Sequence, residues 1–432
     1  MTASLRILTV AHGYPPHEHA GAELAAHWLD RALRERGHAV RAFIGGGGRE
    51  VPALTRLHER VDGIPVTRVA TALARATSLR ATYLDAGVRA AFEGELAAGA
   101  DVVHFHHTIG LSVDLVAAAK AAGARVIFTL HDFWHLCARG QRYTPRGEVC
   151  ATIDPAKCAR CIRGKRVHWG WNHLVRAPLA WLLTLPGYLR ENLGAGALRR
   201  RTAEMIAQLN QADVITAPSR FVLDEHVRHG LDASRTQVVP NGIDPAVAAA
   251  LAPHAAPRTP LRFGYVGSLL PSKGIDLLLA AFAGLGARGA TLAIHGTSPW
   301  DGGAWERRIA AGNRDPAIRF HGRFGRERFA EVLSSLDVLV LPSRWYENAP
   351  ITLDEAALGR LPVIVADHGG MAELLRARAN GLGFRPGDAA SLRDAMVRFL
   401  DEPGLWDRLR SPAQPVPTAP EVAARFESLY RR

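Results

Sequence analysis

At 432 residues, with 48% hydrophobic and 22% charged side chains, the chain is too long for one ordinary domain and too apolar for a disordered one. Lys and Arg outnumber Asp and Glu by 53 to 41, a net charge of +12 with histidine neutral, which favours anionic partners such as nucleic acid, phosphorylated small molecules or an anionic membrane face. No uncharged apolar stretch is long enough to span a bilayer, and the six-residue run Leu5–Val10 gives way at once to HGYPPHEHAGAE, so no secretory signal is read and a cytoplasmic location is expected.

The first half reads as alternating strand and helix. Residues 5–10 (LRILTV) are a continuous apolar strand, 21–36 an amphipathic helix closed by Gly37, and 38–44 the next strand. Gly21 opens that helix, where a missing side chain lets backbone amides approach a phosphate or sugar closely. No G-x-G-x-x-G dinucleotide fingerprint is present. Further strands are expected at 101–106, 125–130, 213–217 and 236–240, with helices over 111–122 and after Ser219 as cap. His131 stands at the carboxyl end of the strand 125–130, placed to hydrogen-bond a sugar hydroxyl or a phosphate. The cluster His104, Phe105, His106 and His107 reads as packing or acceptor-side surface rather than a metal site.

The alternation breaks over about 132–200. All four cysteines of the chain fall there: Cys137, Cys150, Cys158 and Cys161, spaced C-x12-C-x7-C-x2-C. The segment is rich in Gly, Pro and Arg and shows no evident core, so a staple is expected. Structural zinc on the four thiolates is the favoured reading, with His135 able to replace one of them; a disulfide pair and free thiols are the other two. Six Lys and Arg between 157 and 176, with Trp169 and Trp171, lead into the apolar stretch 177–189 and then Arg199–Arg201. That stretch is too short to cross a bilayer; it suits either the interface of an anionic membrane or packing on its own domain.

Residues 246–260, rich in Ala and Pro, read as a linker, after which the alternation restarts with strands at 262–267, 291–296, 318–322, 337–342 and 362–366. The last thirty residues read as helix, break, helix. The expected architecture is therefore α/β: two Rossmann-like, doubly wound domains facing across a cleft, with ligands beyond the strands' carboxyl ends. In the second half, GYVGSLLPSKG places Gly267 and Ser268 after a strand and Lys273 at the entry to a helix, an arrangement that suits a diphosphate. RWYENAPITLDEA (344–356) sets Glu347 and Glu355 on either side of a helix start, with Pro350 as its expected first residue. The amides around Asn348, Ala349 and Ile351 then form an anion site between two acids. A nucleotide sugar fits, with its hexose at Glu347, its pyrophosphate at the helix end and its ribose diol at Glu355.

Four ordered motifs, VVPNGID (238–244), GYVGSLLPSKG, ENAPITLDE and PVIVADHGGMAEL (362–374), together with the N-terminal GAE loop, resemble those of family 4 glycosyltransferases over essentially the whole chain. The resemblance implies a GT-B fold and transfer of a sugar from a nucleotide donor, UDP- or GDP-linked, to a glycan, lipid-linked or small-molecule acceptor, with retention of configuration. It makes residues 1–245 the acceptor domain, 261–400 the nucleotide-sugar domain and 401–432 a helical tail. Glu347 would hold the donor sugar, Glu355 the ribose and Lys273 the diphosphate, assisted by amides near Asn348 and Ala349. His131 matches the family's active-site histidine and Glu373 the acid of G-G-x-x-E. Two departures stand out: Ser268 replaces an arginine common in the family, leaving Arg323 or Arg344 to supply a second cation, and AGAE replaces GGAE. No catalytic metal is expected, since fixed cations and amides can meet the diphosphate's charge. The alternatives are a GT-B nucleotide-sugar 2-epimerase, which needs no acceptor, and a zinc-bearing nucleic-acid-binding protein. The second leaves the ordered motifs unexplained, and basic residues are not interleaved with aromatics as a nucleic-acid module requires.

Overall fold

A computed structural model of the chain describes residues 3–46, 51–71, 76, 78–163, 193–286, 288–298 and 303–432. It divides into two compact units, one of Met1–Arg146, Cys150–Gly242 and Ala419–Arg432, the other of Gly147–Val149 and Ile243–Thr418.

The first unit carries the strands β1 (Arg6–Ala11), β2 (Ala39–Gly46), β3 (Arg56–Val61), β4 (Ile64–Ala70), β5 (Val102–Phe105), β6 (Arg125–Thr129), β7 (Val214–Ala217) and β8 (Thr236–Val238). Its helices are α1 (Gly21–Glu35), α2 (Ala86–Leu96), α3 (Leu115–Ala121), α4 (Pro155–Arg163), α5 (Ala195–Leu209) and α6 (Arg220–Val227). The sheet order is β3-β4-β2-β1-β5-β6-β7-β8, parallel throughout except for the β3–β4 pair. Central strands are buried on both faces, which is why they read as unbroken apolar runs; Ile7, Leu8, Val10, Val102, Val103, Val126 and Ile127 are all fully inaccessible. The β3–β4 hairpin turns on Asp62 (φ 47°) and Gly63 (φ 76°), the two positive φ values of a tight primed turn. Ser219 caps α6 as expected, accepting from the Val222 amide.

In the second unit the helices α7 (Pro245–Ala250), α8 (Ile275–Ala283), α9 (Ala304–Gly312), α10 (Phe329–Ser334), α11 (Ile351–Leu358), α12 (Gly369–Arg378), α13 (Ala389–Asp401) and α14 (Leu405–Leu409) surround a parallel sheet. Its strands are β9 (Leu261–Val266), β10 (Ala290–His295), β11 (Ile318–Gly322), β12 (Val338–Leu341), β13 (Val363–Ala366) and β14 (Gly381–Phe384), in the order β11-β10-β9-β12-β13-β14. Asp337, wholly buried at the foot of β12, is held by Arg262 at 2.7 Å. Trp406 of α14 donates its ring N–H to the Asp337 carbonyl.

Three boundaries differ from expectation. The break between units falls at Gly242/Ile243, and the expected linker 246–260 begins inside α7, an Ala-rich turn capped by Asp244; only its later part is irregular. The expected tail divides: α13 and α14 complete the second unit, while α15 (Ala419–Arg431) belongs to the first. The reason is an apolar stripe of Val422, Ala423, Phe426, Leu429 and Tyr430, all buried. Arg36 pairs with Glu427 at 2.6 Å, the Tyr430 hydroxyl bonds His104 Nδ1 at 2.7 Å and Arg125 donates to the Leu429 carbonyl at 2.6 Å. The cysteine segment also has more core than expected: Trp134, Ala159 and Ile162 pack with Tyr83, Ala197, Leu198 and Met205. Most of the basic and apolar stretch 157–189 lies outside the described residues.

Candidate functional site

Each unit gathers polar side chains beyond the carboxyl ends of its strands. In the second unit, β9 ends at Val266 and the chain turns through Gly267 at φ 152° to an exposed Ser268, whose carbonyl accepts from the Tyr265 hydroxyl at 2.8 Å. A single 3₁₀ turn, Pro271–Lys273, follows and ends on Gly274 in the left-handed region at φ 73°. A Cβ there would lie 2.1 Å from the Pro342 carbonyl oxygen, so glycine is what lets the lysine turn press against the chain leaving β12.

That contact brings Lys273 to Glu347. The Lys273 ammonium donates to Glu347 Oε1 at 2.6 Å, and the same oxygen accepts from Ser343 Oγ at 2.7 Å and the Trp345 ring N–H at 2.8 Å. Lys273 also lies 5.2 Å from the centre of the Trp345 ring. The Glu347 backbone is pinned from the other side by the glycine pair that opens α12: Gly370 N donates to the Glu347 carbonyl at 3.0 Å, and a Cβ on Gly369 (φ 61°) would come within 3.1 Å of it. His368 donates to the Ser343 carbonyl at 3.1 Å, and burial lowers its pKa. Thus Lys273, Glu347 and the H-G-G loop, distant in sequence, form one cluster.

Helix α11 opens at Ile351, one residue later than expected, because Pro350 (ψ 119°) is extended and serves as the cap. Asn348 and Ile351 are buried at this helix start, and Ala349 is partly so. Glu355, on the inner face of α11, is completely buried; Arg326 donates to its Oε1, while its Oε2 is buried without a partner. Burial lowers the Arg326 pKa to about 10, and its guanidinium lies 4.1 Å from the Phe329 ring centre. Sequence reasoning missed Arg326, because nothing in the spacing of GRFGRERF ties it to Glu355. It also missed Ser343 and Trp345, which frame Glu347 from a strand end. The two proposed substitutes for the absent arginine are placed differently: Arg344 pairs with Asp276 at 2.8 Å and Arg323 is exposed. Glu373 is partly buried on α12, one turn past Gly370.

In the first unit, His131 follows β6 and bonds His106 through Nε2 and Nδ1 at 3.1 Å, with the rings stacked 5.3 Å apart. Burial first, and then the neighbouring His107, lower its pKa to about 4, so the ring is neutral near pH 7. A small pocket is lined by His131, His106, Thr129, Asn241, Gly242 and Phe426, which places the VVPNGID segment against the histidine. Beside it, His107 Nδ1 accepts from the Ile109 amide at 2.9 Å, so the ring's Nε2–H faces Asp132 at 3.2 Å. Burial opposes the Asp132 charge, but His107 and the Trp134 amide outweigh it and hold the carboxyl at about 2. Glu23, in the first turn of the helix opened by Gly21, is likewise held at about 2 by His12 at 3.1 Å, again against burial. Glu23 Oε2, His12 Nδ1 and His106 Nε2 are buried without partners. Of the HFHH cluster, His104 is packing, bonded to Tyr430 and Thr129, while His106 and His107 join the polar group around His131.

The four cysteines are free thiols. Among the described residues no three His, Cys, Asp or Glu side chains are grouped closely enough to hold a metal ion. Cys158 is pushed up to about 12 by burial first and then by Cys137, Cys150 and Cys161. No helix among the described residues is long and apolar enough to cross a membrane.

Two parallel doubly wound units, each with its polar side chains beyond the strand ends, define the GT-B class of α/β proteins. The model of Glycosyltransferase Family 4 matches residues 20–247, and that of Glycosyl transferases group 1 matches residues 260–402. The chain belongs to glycosyltransferase family 4. Solved structures similar in fold include sucrose-phosphate synthase from Thermosynechococcus elongatus, with a TM-score of 0.67, 18% identity and coverage of 99% of this chain and 98% of that one. Anabaena HepE in complex with UDP and glucose has a TM-score of 0.64 at 16% identity, covering 99% of each chain. Among curated relatives, the α-D-kanosaminyltransferase of Streptomyces kanamyceticus is 31% identical over 157 residues, 36% of this chain and 40% of that protein. The glycogen synthase of Acidiphilium cryptum is 29% identical over 255 residues, 55% and 51% respectively. The chain thus spans about half or less of the length of these two relatives.

Proposed function

We propose that the protein transfers a glycosyl group from a nucleoside-diphosphate sugar to a hydroxyl acceptor with retention of configuration. The observation that carries this reading is the convergence of Lys273, Ser343 and Trp345 on one oxygen of Glu347, with the H-G-G loop clamping the backbone of the same residue. Such a carboxylate is held in one orientation before any ligand arrives, as preorganised stabilisation of a transition state demands. Glu347 would receive donor-sugar hydroxyls, while Lys273 and the start of α11 would meet the diphosphate. Glu355, whose second oxygen has no partner, would take the ribose diol. HepE, similar in fold, is a structure with UDP and glucose, which supports a UDP-sugar as the first donor to try.

Among the described residues no side chain stands out as a nucleophile, and a front-face reaction fits that arrangement. The acceptor oxygen bonds the anomeric carbon as the bond to the diphosphate breaks, and the acceptor's proton passes to a departing phosphate oxygen. Neutral His131 in the first unit would hydrogen-bond a sugar hydroxyl, and Glu373 would support the donor. A membrane-proximal, lipid-linked acceptor on the cytoplasmic side rests on the composition of residues 157–189 and would show as flotation with anionic vesicles at low salt.

The test is a thermal-shift panel of UDP-, GDP- and ADP-sugars, followed by a transfer assay with the best binder. Glu347→Gln should lower turnover about 100-fold with little change in donor affinity. Transfer by Glu347→Gln at the wild-type rate would overturn the assignment.

A further inference from the structure

The polar group around His131 contains a second histidine that the transfer reading leaves unused. His106, the residue after β5, is 2% exposed, and its amide donates to the Val10 carbonyl at 2.8 Å. Its ring centre lies 4.2 Å from that of His104 and 5.3 Å from that of His131. His104 is in turn bonded at both nitrogens, Nδ1 to the Tyr430 hydroxyl and Nε2 to Thr129 Oγ1, each at 2.7 Å. Thr129 Oγ1 also bonds Thr216 Oγ1 at 2.7 Å, so the ring against which His106 rests is fixed.

Proton counting links His106 to His131. Burial is the first cause lowering both pKa values, His131 to about 4 and His106 well below the ordinary histidine range. Each ring is therefore neutral near pH 7 and carries one N–H. The 3.1 Å contact between His106 Nδ1 and His131 Nε2 holds one hydrogen, with one nitrogen donating and the other accepting. If His106 donates, its proton is on Nδ1, and His131 must carry its own on Nδ1. If His131 donates, its proton is on Nε2, and so is that of His106. The two rings thus carry the proton on the same-named nitrogen in either case. His131 Nε2 is spent on this bond, whereas its Nδ1 has no hydrogen bond among the described residues. Nδ1 is then the nitrogen left for a ligand in the pocket that both rings line. Leu29, Val239, Pro240 and Val422, on the same pocket, are apolar and offer no side-chain group that could compete for an imidazole.

We propose that His106 is a positioning residue for transfer: its Nδ1 locks the ring and the tautomer of His131, so that His131 Nδ1 offers a substrate hydroxyl one fixed hydrogen-bonding role. This rests on the reading of His131 as a residue that meets substrate. A free neutral imidazole exchanges tautomers and presents a donor and an acceptor in turn; the bond made by one nitrogen decides the other. A ring locked beforehand spares the reaction that reorganisation. His106 acts through His131 alone.

Proton–nitrogen correlation spectra of the full chain, labelled on histidine, read the tautomers without any assay of transfer. Near pH 7, His131 and His106 should each show one bare and one protonated nitrogen, the protonated one being the same in both rings. In His106→Phe, the His131 nitrogens should give signals averaged between tautomers. Turnover of that variant should fall about tenfold with the KM for donor unchanged. His106→Asn, whose amide stands near the place of Nδ1 and can donate or accept, should recover turnover to within about threefold of wild type. An averaged His131 in the wild type or unlike protonated nitrogens in the two rings would overturn the proposal, even where His106→Phe does not fold. So would His131 signals unchanged by His106→Phe, or full turnover in that variant. A locked His131 in a chain that transfers no sugar would support the lock and overturn the transfer reading, so the two fail separately.

Discussion

Glu347 and Glu355 are both buried acids of one loop and helix, but their partners set them to different tasks. Glu347 is saturated on one oxygen by three donors, whereas Glu355 is paired with Arg326 and keeps one oxygen unpartnered. Replacing Glu355 by Gln should therefore act on nucleotide affinity, weakening it about tenfold by loss of a charge-assisted hydrogen bond while turnover at saturation changes little. Isothermal titration with the nucleotide alone separates the two effects. Lys273→Ala removes both a diphosphate contact and the cation holding Glu347, so affinity and turnover should fall together. Buried histidines add a pH signature. His104 is lowered to about 3, and His131, His226 and His295 to about 4, with burial the first cause in each. Below the unfolded value of 6.5 the unfolded chain binds protons that these rings refuse, so their contribution is complete above pH 6.5 and is lost as the pH falls toward 4. Each ring adds a slope of up to about 1.4 kcal/mol per pH unit in that window. His12, raised beside Glu23, works in the opposite sense. Urea midpoints should drop between pH 7.5 and pH 5; a flat profile would mean that the rings are hydrated in solution.

At the scale of elements, the turn carrying Lys273 depends on one glycine. Gly274→Ala would put a methyl 2.1 Å from the Pro342 oxygen at a positive φ, and should destabilise the second unit by about 2–4 kcal/mol, read by chemical unfolding. The strand and helix alternation was legible because buried parallel strands leave continuous apolar runs, as in Ile7–Val10 and Val338–Leu341. The β3–β4 hairpin escaped because its outer strand, RLHERV, is largely exposed and polar, although the Asp62–Gly63 turn signal was present. Pro350 was misplaced by one residue because proline suits both a cap and a first helical position, and only its ψ decides. Motif residues were legible as a set, since Lys273, Glu347 and Gly369 each lie in the segment that follows a strand. Arg326 was not, because its partnership with Glu355 is made by tertiary packing.

At the scale of the whole chain, sequence order and spatial order part company after Thr418. The stripe on α15 was visible as a helix, but no local pattern says which sheet it covers. Removing residues 419–432 should strip Phe426 and Tyr430 from the first unit and leave His104 without its Tyr430 partner. In limited proteolysis of that truncated chain, fragments from the first unit should vanish early. The span 243–418, with its own core around Phe263, Leu339 and Met396, should persist. The milder Tyr430→Phe should cost about 1 kcal/mol in the first unit's unfolding.

That returning helix also has a consequence for biosynthesis. A ribosome finishes the residues of the second unit before it makes α15, so the second unit can mature on its own while the first, although begun earlier, waits as an incomplete body with part of its apolar surface bare. Nascent chains stalled before residue 419 should therefore recruit chaperones through their N-terminal portion, and release of the last turn of α15 from the exit tunnel becomes the event that completes the first unit.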